Sequence, residues 1–139
     1  MKIEPGERFT CTVSLTPAAV SRFASEVGDD NPIHHDSAYA AETRYGRLIA
    51  SGTQTTALLL GLTAARFSKG SAMVGLEFWQ RFYRPVFADE TIRIEWLVIR
   101  VTPHQRLGGE IVDLRGRIKG EDGRTAIGAK GRILVTDHL

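Results

Sequence analysis

Between Glu26 and Ala40 the chain reads EVGDDNPIHHDSAYA, which sets Asp29, Asp30, Asn31, His34, His35 and Asp36 within eight residues around an Asn-Pro step. A carboxylate accepts a proton, and an imidazole accepts or donates one near neutral pH. Side chains of these two types aimed at one point can hold and polarise a water molecule for general acid–base chemistry. Asp29 and His34 are the pair so placed, because they bracket Asn31-Pro32, where the chain folds back instead of continuing a helix. Asn31 would fix the water or orient His34 by hydrogen bonding. A plainer reading stands beside this one, in which Asp29 and Asn31 only make turn hydrogen bonds and His34 is a surface residue. The residue types alone leave both open.

Two other chemistries fit less well. His34, His35 and Asp36 are metal-ligating types. Pro32 biases Asn31 away from helical backbone, so the segment reads as extended, and neighbouring side chains there point apart. No metal is expected. Asp29, His34 and Ser51 supply the types of a hydrolase triad. However, Ser51 followed three residues later by Gln54 matches a capping box, which occupies the serine hydroxyl at a helix N-terminus.

Several elements must position these groups. RFTCTVSL alternates Phe9, Cys11, Val13 and Leu15 with polar residues, the period of a half-buried strand with Cys11 as a small core residue. Thr16 as N-cap, Pro17 at the first helical position and Gly28 as a stop define a short helix that delivers the chain to Asp29. Asp36 caps one or two further turns through Ala41. A longer helix begins at Gly52 and runs to about Phe67, with Ala57, Leu58, Leu59, Leu60, Leu62, Ala64 and Ala65 apolar on nearly every side. Such a helix is expected to be surrounded by protein.

Gly52, first in that helix, has an N–H without an intrahelical acceptor, at the end where the helix dipole favours negative charge. Lacking a side chain, it would let a thioester or ester carbonyl approach the backbone as an oxyanion site. Ordinary capping of a tight turn explains the glycine equally well.

The second half reads as four strands, GLEFWQRFYRPVF, TIRIEWLVIRV, EIVDLRGRIKG and TAIGAKGRILV, with hairpin chemistry at Asp122-Gly123. Sequential strands with short turns predict an antiparallel sheet wrapped around the long helix, an α+β domain. The 139 residues suit a single domain, 1–139. A net charge of +2 from 18 basic and 16 acidic residues is too balanced to predict nucleic-acid binding. One cysteine excludes an internal disulfide and suits a reducing compartment. No apolar run reaches the length of a membrane span, and MKIEPGERF has no secretory apolar core, so a cytoplasmic protein is expected. GxGxxG, Walker A, GxSxG and CxxC motifs are missing from the chain.

FASEVGDDNPIHHDSAYAAETRYGRLIASG closely resembles the hydratase signature of the MaoC-like dehydratases, the family of (R)-specific enoyl-CoA hydratases. The family pattern Asp-x-Asn-Pro-x-His-x-Asp is met by Asp29, Asn31, Pro32, His34 and Asp36, and the later step into the central helix by Ala50-Ser51-Gly52. FYRPVFADETI is similar to the family's Pro-Val-x-x-Gly-Asp-Thr segment, with Ala88-Asp89-Glu90-Thr91 departing from it at what is expected to be a turn. The resemblance covers nearly the whole chain.

It implies a hot-dog fold and a homodimer, or a higher oligomer built on one, with sheets joined edge to edge and acyl-CoA tunnels near the interface. It implies Asp29 and His34 as the acid–base pair, Asn31 in support and Gly52 as oxyanion donor. The implied reaction is reversible hydration of trans-2-enoyl-CoA to (R)-3-hydroxyacyl-CoA, with no cofactor beyond the CoA of the substrate. Ser51, Thr56, Leu59 and Leu60 are assigned as substrate-binding residues, although core packing accounts for the leucines too. Arg66, Lys69, Arg81 and Arg84 would meet CoA phosphates or serve as solvated cations. A hot-dog thioesterase and a non-catalytic acyl-CoA-binding module are the competing functions. Neither needs the Asp-x-Asn-Pro-x-His run.

Overall fold

The structure, a computed structural model, describes residues 2–139. Strand β1 (Arg8–Ser14) is followed by helix α1 (Pro17–Glu26), a 3-10 turn (Pro32–His34), α2 (Ser37–Ala41) and α3 (Gly52–Phe67). Four strands complete the chain: β2 (Ala72–Phe82), β3 (Thr91–His104), β4 (Gly109–Lys119) and β5 (Thr125–Thr136). The helix starts fall where short polar side chains permit them. Thr16 Oγ1 accepts the Ala19 N–H at 3.2 Å, Asp36 Oδ1 accepts those of Ala38 and Tyr39 at 3.0 and 3.1 Å, and Ser51 Oγ accepts that of Gln54 at 3.2 Å. The Ser51 box is only half made, since Gln54 Oε1 is buried without a hydrogen-bond partner among the described residues.

All pairings in the sheet are antiparallel, and the strand order is β1-β3-β4-β5-β2. The expected pairing of β2 with its successor β3 does not occur. β2 stops at Phe82, five residues before the expected strand end at Phe87. Tyr83 to Glu90 instead crosses beneath the start of α3, with Ala50 N–H bonded to Val86 O at 2.7 Å and Ala88 N–H to Leu48 O at 3.0 Å. Pro85, which has no N–H to give a ladder, sits within this crossing. Glu90 is buried, and its carboxylate accepts the N–H groups of Phe87 at 3.0 Å and Glu121 at 2.9 Å, which ties the end of the crossing to the β4–β5 hairpin.

The sheet carries α3 on one face. Trp96 of β3 is fully buried and donates its indole N–H to the carbonyl of Leu59 at 2.9 Å. Gly116 stands opposite Trp96 in register, and a Cβ there would lie 2.5 Å from the indole ring. A side chain at 116 would therefore push the ring out from between sheet and helix.

Two expectations about burial are corrected. α3 is not enclosed: Thr53, Ala57, Gly61, Ala64 and Ala65 are exposed because the single sheet covers only the side carrying Thr55, Leu59, Thr63 and Phe67. Cys11 is exposed as well, because β1 is an edge strand with a neighbour on one side only.

Candidate active site

The site begins where α1 ends. The chain leaves the helix through Val27 and Gly28, and the Asp29 N–H then bonds back to Ala24 O at 2.8 Å. Asp29 Oδ1 accepts the Asn31 N–H at 3.1 Å, and Asn31 Oδ1 accepts the Ile33 N–H at 3.3 Å, capping the 3-10 turn. Asn31 itself is extended as its proline neighbour demands, but the residues after it are helical, contrary to the expected extended run. In this turn the His34 and His35 rings lie edge to face, with centroids 6.3 Å apart and planes at 73°, and their nitrogens meet different partners.

His34 points inward and is 5% exposed. Its Nδ1 lies 2.8 Å from Ile49 O, and Ile49 is itself held by a bridge to Phe87 and a bond from its N–H to Ile33 O at 3.3 Å. A carbonyl oxygen only accepts, so Nδ1 carries the hydrogen and Nε2 is left with its lone pair. That nitrogen sits 3.2 Å from Asp29 Oδ2. Two bare acceptors at this separation repel, so the pair is satisfied by one proton held between them or by a water donating to them. Asp29 makes both contacts at once: Oδ1 makes the turn and Oδ2 meets the imidazole.

His34 lines a cleft of about 400 Å³ together with Gly52, Thr55, Tyr45, Phe82 and Arg84. Gly52 opens α3, so its N–H has no intrahelical acceptor and lies at the positive end of the helix. A Cβ on Gly52 would lie 3.1 Å from the Phe82 ring, so a side chain there would crowd the cleft. Thr55 donates its hydroxyl to Gly52 O at 3.1 Å. The cleft thus brings His34 and the first residue of α3 together, with Asp29 behind His34 and not among the residues that line it. Among the described residues, no group of three or more His, Cys, Asp or Glu side chains is arranged to hold a metal ion.

Residues 2–114 match the family described as MaoC like domain, well over half of the chain. The chain belongs to the MaoC-like dehydratase family. It is 32% identical over 94 residues to an (R)-specific enoyl-CoA hydratase of Aeromonas caviae, spanning 67% of this chain and 69% of that enzyme. It is 29% identical over 92 residues to a 3-hydroxybutyryl-CoA dehydratase of Methylorubrum extorquens, spanning 66% of this chain and 58% of that enzyme, less than two thirds of its length. The fold superposes on the unliganded R-hydratase PhaJ1 of Pseudomonas aeruginosa with a TM-score of 0.86, covering 97% of this chain and 83% of that one at 27% identity. It is the hot-dog fold.

Within this MaoC-like domain the expected site residues divide. Asp29 and His34 meet, and His34 and Gly52 share a cleft. Asn31 caps the turn, and the bond that orients His34 comes from Ile49 O. Ser51 is fully buried as the helix cap, with its hydroxyl also 2.9 Å from that of Thr53. Thr56, Leu59 and Leu60 do not line the cleft; Thr55, one residue earlier, does. Leu59 is fully buried beneath Trp96. Of the four cations considered for phosphates, Arg66 is engaged by Glu7 at 2.7 Å, while Arg84 lines the cleft beside Arg44, which sequence reasoning passed over. His35 bonds to Asp29 O and to Ser21 Oγ, contacts that arise only once the turn is formed.

Proposed function

We propose that this chain is a hydro-lyase on acyl-CoA thioesters, hydrating trans-2-enoyl-CoA reversibly to (R)-3-hydroxyacyl-CoA. The observation that carries this reading is the 3.2 Å approach of His34 Nε2 to Asp29 Oδ2, with His34 on the wall of the cleft that presents Gly52. The thioester carbonyl would accept the Gly52 N–H, which stabilises negative charge building on that oxygen. A water held by Asp29 and His34 would add to the β-carbon, giving one proton to the pair. The pair would return a proton to the α-carbon on the same face. The step uses side chains, backbone and water, with CoA entering as part of the substrate. Arg44 and Arg84 at the cleft supply positive charge for a phosphorylated carrier.

A homodimer joined through β2 fits the same reading. β2 is an edge strand with Val74, Leu76, Trp79 and Phe82 exposed, the kind of edge that a soluble protein covers. No helix of the described residues is long and apolar enough to cross a membrane, and the proposed location is the cytoplasm.

Hydration of crotonyl-CoA, followed as loss of the enoyl-thioester absorbance, tests the proposal. Wild type is expected to be active, and Asp29→Asn and His34→Ala to lose about 10²- to 10⁴-fold in kcat. Full activity in both variants would remove the pair from the mechanism. Release of free CoA thiol without hydration would make the chain a thioesterase.

A further inference from the structure

The second histidine of the turn is as well ordered by its neighbours as the first, yet the reaction proposed above gives it nothing to do. His35 is half-buried; its Nε2 lies 2.8 Å from the main-chain oxygen of Asp29, and its Nδ1 lies 2.7 Å from Ser21 Oγ on α1. The carbonyl can only accept, so Nε2 carries the hydrogen and donates it. Nδ1 of the neutral ring then accepts, and the Ser21 hydroxyl supplies the matching donor. The Asp29 carbonyl therefore sets the Nε2–H tautomer of the neutral ring, and Ser21, whose hydroxyl donates or accepts as needed, holds Nδ1 in place. If the ring gains a proton, Nε2–H remains a donor and Ser21 Oγ can accept from Nδ1, so the bond to Asp29 survives either charge state.

The residue held in this way is the one whose position matters most. The Asp29 peptide is gripped from both sides, its N–H by Ala24 O and its C=O by His35. With Oδ1 fixed by the Asn31 N–H, the carboxylate is left one free oxygen, which faces His34. His35 occupies an unspecified position in the Asp-x-Asn-Pro-x-His-x-Asp pattern, and no other assigned role competes for it.

We infer that His35, locked by Ser21, is a positioning residue that clamps the Asp29 main chain and so sets the Asp29–His34 geometry. The inference rests on the hydratase reading for its catalytic meaning, but the clamp itself is readable without turnover. A misplacement near 1 Å at a reacting group costs about 10²-fold, so loosening Asp29 should be felt in kcat while leaving substrate affinity alone.

The test combines an imidazole ¹⁵N NMR spectrum with kinetics on crotonyl-CoA. The clamp predicts the neutral His35 ring as the Nε2–H tautomer in wild type and in Ser21→Ala alike, because the carbonyl that sets it is untouched. A mixture in wild type overturns it, whether or not the protein is active. In the kinetics, His35→Leu should lower kcat by about 10- to 100-fold with KM within about twofold, and His35→Gln, whose amide nitrogen can reach the same carbonyl, should recover most of the loss. Unchanged kcat in a folded His35→Leu protein overturns the positioning role. So does a full additional loss on adding Asp29→Asn to His35→Leu, because a residue acting only through Asp29 has nothing left to position. An inactive wild type with the predicted tautomer in place would instead overturn the hydratase reading and leave the clamp standing as a structural contact.

Discussion

The two ends of α3 are built on different principles. At the C-terminal end, Phe67 is fully buried with Phe9 edge-on at 5.3 Å, and Arg66 meets both carboxylate oxygens of Glu7, at 2.7 and 2.9 Å. At the N-terminal end, the Gly52 N–H has no intrahelical acceptor, Asp29 Oδ2 and His34 Nε2 face each other at 3.2 Å, and Gln54 buries an oxygen with no partner among the described residues. One end of the helix is packed and paired. The other holds several groups whose hydrogen-bonding capacity is unspent, which stability alone would select against. Such groups persist where a ligand completes them, which supports putting the proposed chemistry at the start of the helix.

Opposite responses to substitution would make the contrast quantitative. Asp29→Asn keeps the acceptor needed for the Asn31 turn, so it should abolish most activity with little change in melting temperature. Phe67→Ala should do the reverse. Truncating a fully buried phenylalanine costs about 3–5 kcal/mol, measured by urea unfolding, while kcat per folded molecule is expected to stay near wild type. If Phe67→Ala instead removes activity in protein that remains folded, the two ends are coupled through the helix and the division fails.

Glu7→Gln probes the same end more gently. It removes the charge that Arg66 meets but keeps a side chain of the same shape, and both partners are less than a third exposed. A loss of about 1–2 kcal/mol is expected, smaller at high salt because part of it is Coulombic. A salt-independent loss would assign the contribution to packing of the arginine stem instead.

How much of this was legible in advance depended on range. The helix caps at Thr16, Asp36 and Ser51 were legible because each is satisfied within three residues of itself. The β4–β5 hairpin was legible for the same reason, with Gly123 at φ 78° supplying its turn. Strand order was not, because β2 pairs with β5 across most of the second half of the chain, and Pro85 marks an interruption of the ladder without saying where the chain goes next. Asp29, His34 and Gly52 could be singled out from residue type and a family resemblance. Their partners could not: Ile49 O reaches His34 only through the 48–50 segment laid against 86–88, and His35 reaches Asp29 only through a 3-10 turn where an extended run was expected. The choice of Thr55 over Thr56 at the cleft is a matter of helix phase against Phe82, set by tertiary packing.

Gln54 gives the smallest and most pointed test of the comparison. Its side chain is 8% exposed, and its buried oxygen lacks a donor, a situation that costs about 1–3 kcal/mol relative to a satisfied group. Methionine is close to glutamine in volume and has no strong acceptor to bury, so Gln54→Met should fill the same space without that penalty. A gain near 1 kcal/mol, about 3–5 °C in melting temperature for a chain of this size, is expected. That gain would show that the N-terminal end of α3 carries a polar group at the expense of stability, as the contrast with Phe67 requires. A fall in melting temperature would mean that the amide is already satisfied by water or by a second subunit. The unspent capacity at this end would then reduce to Gly52, Asp29 and His34.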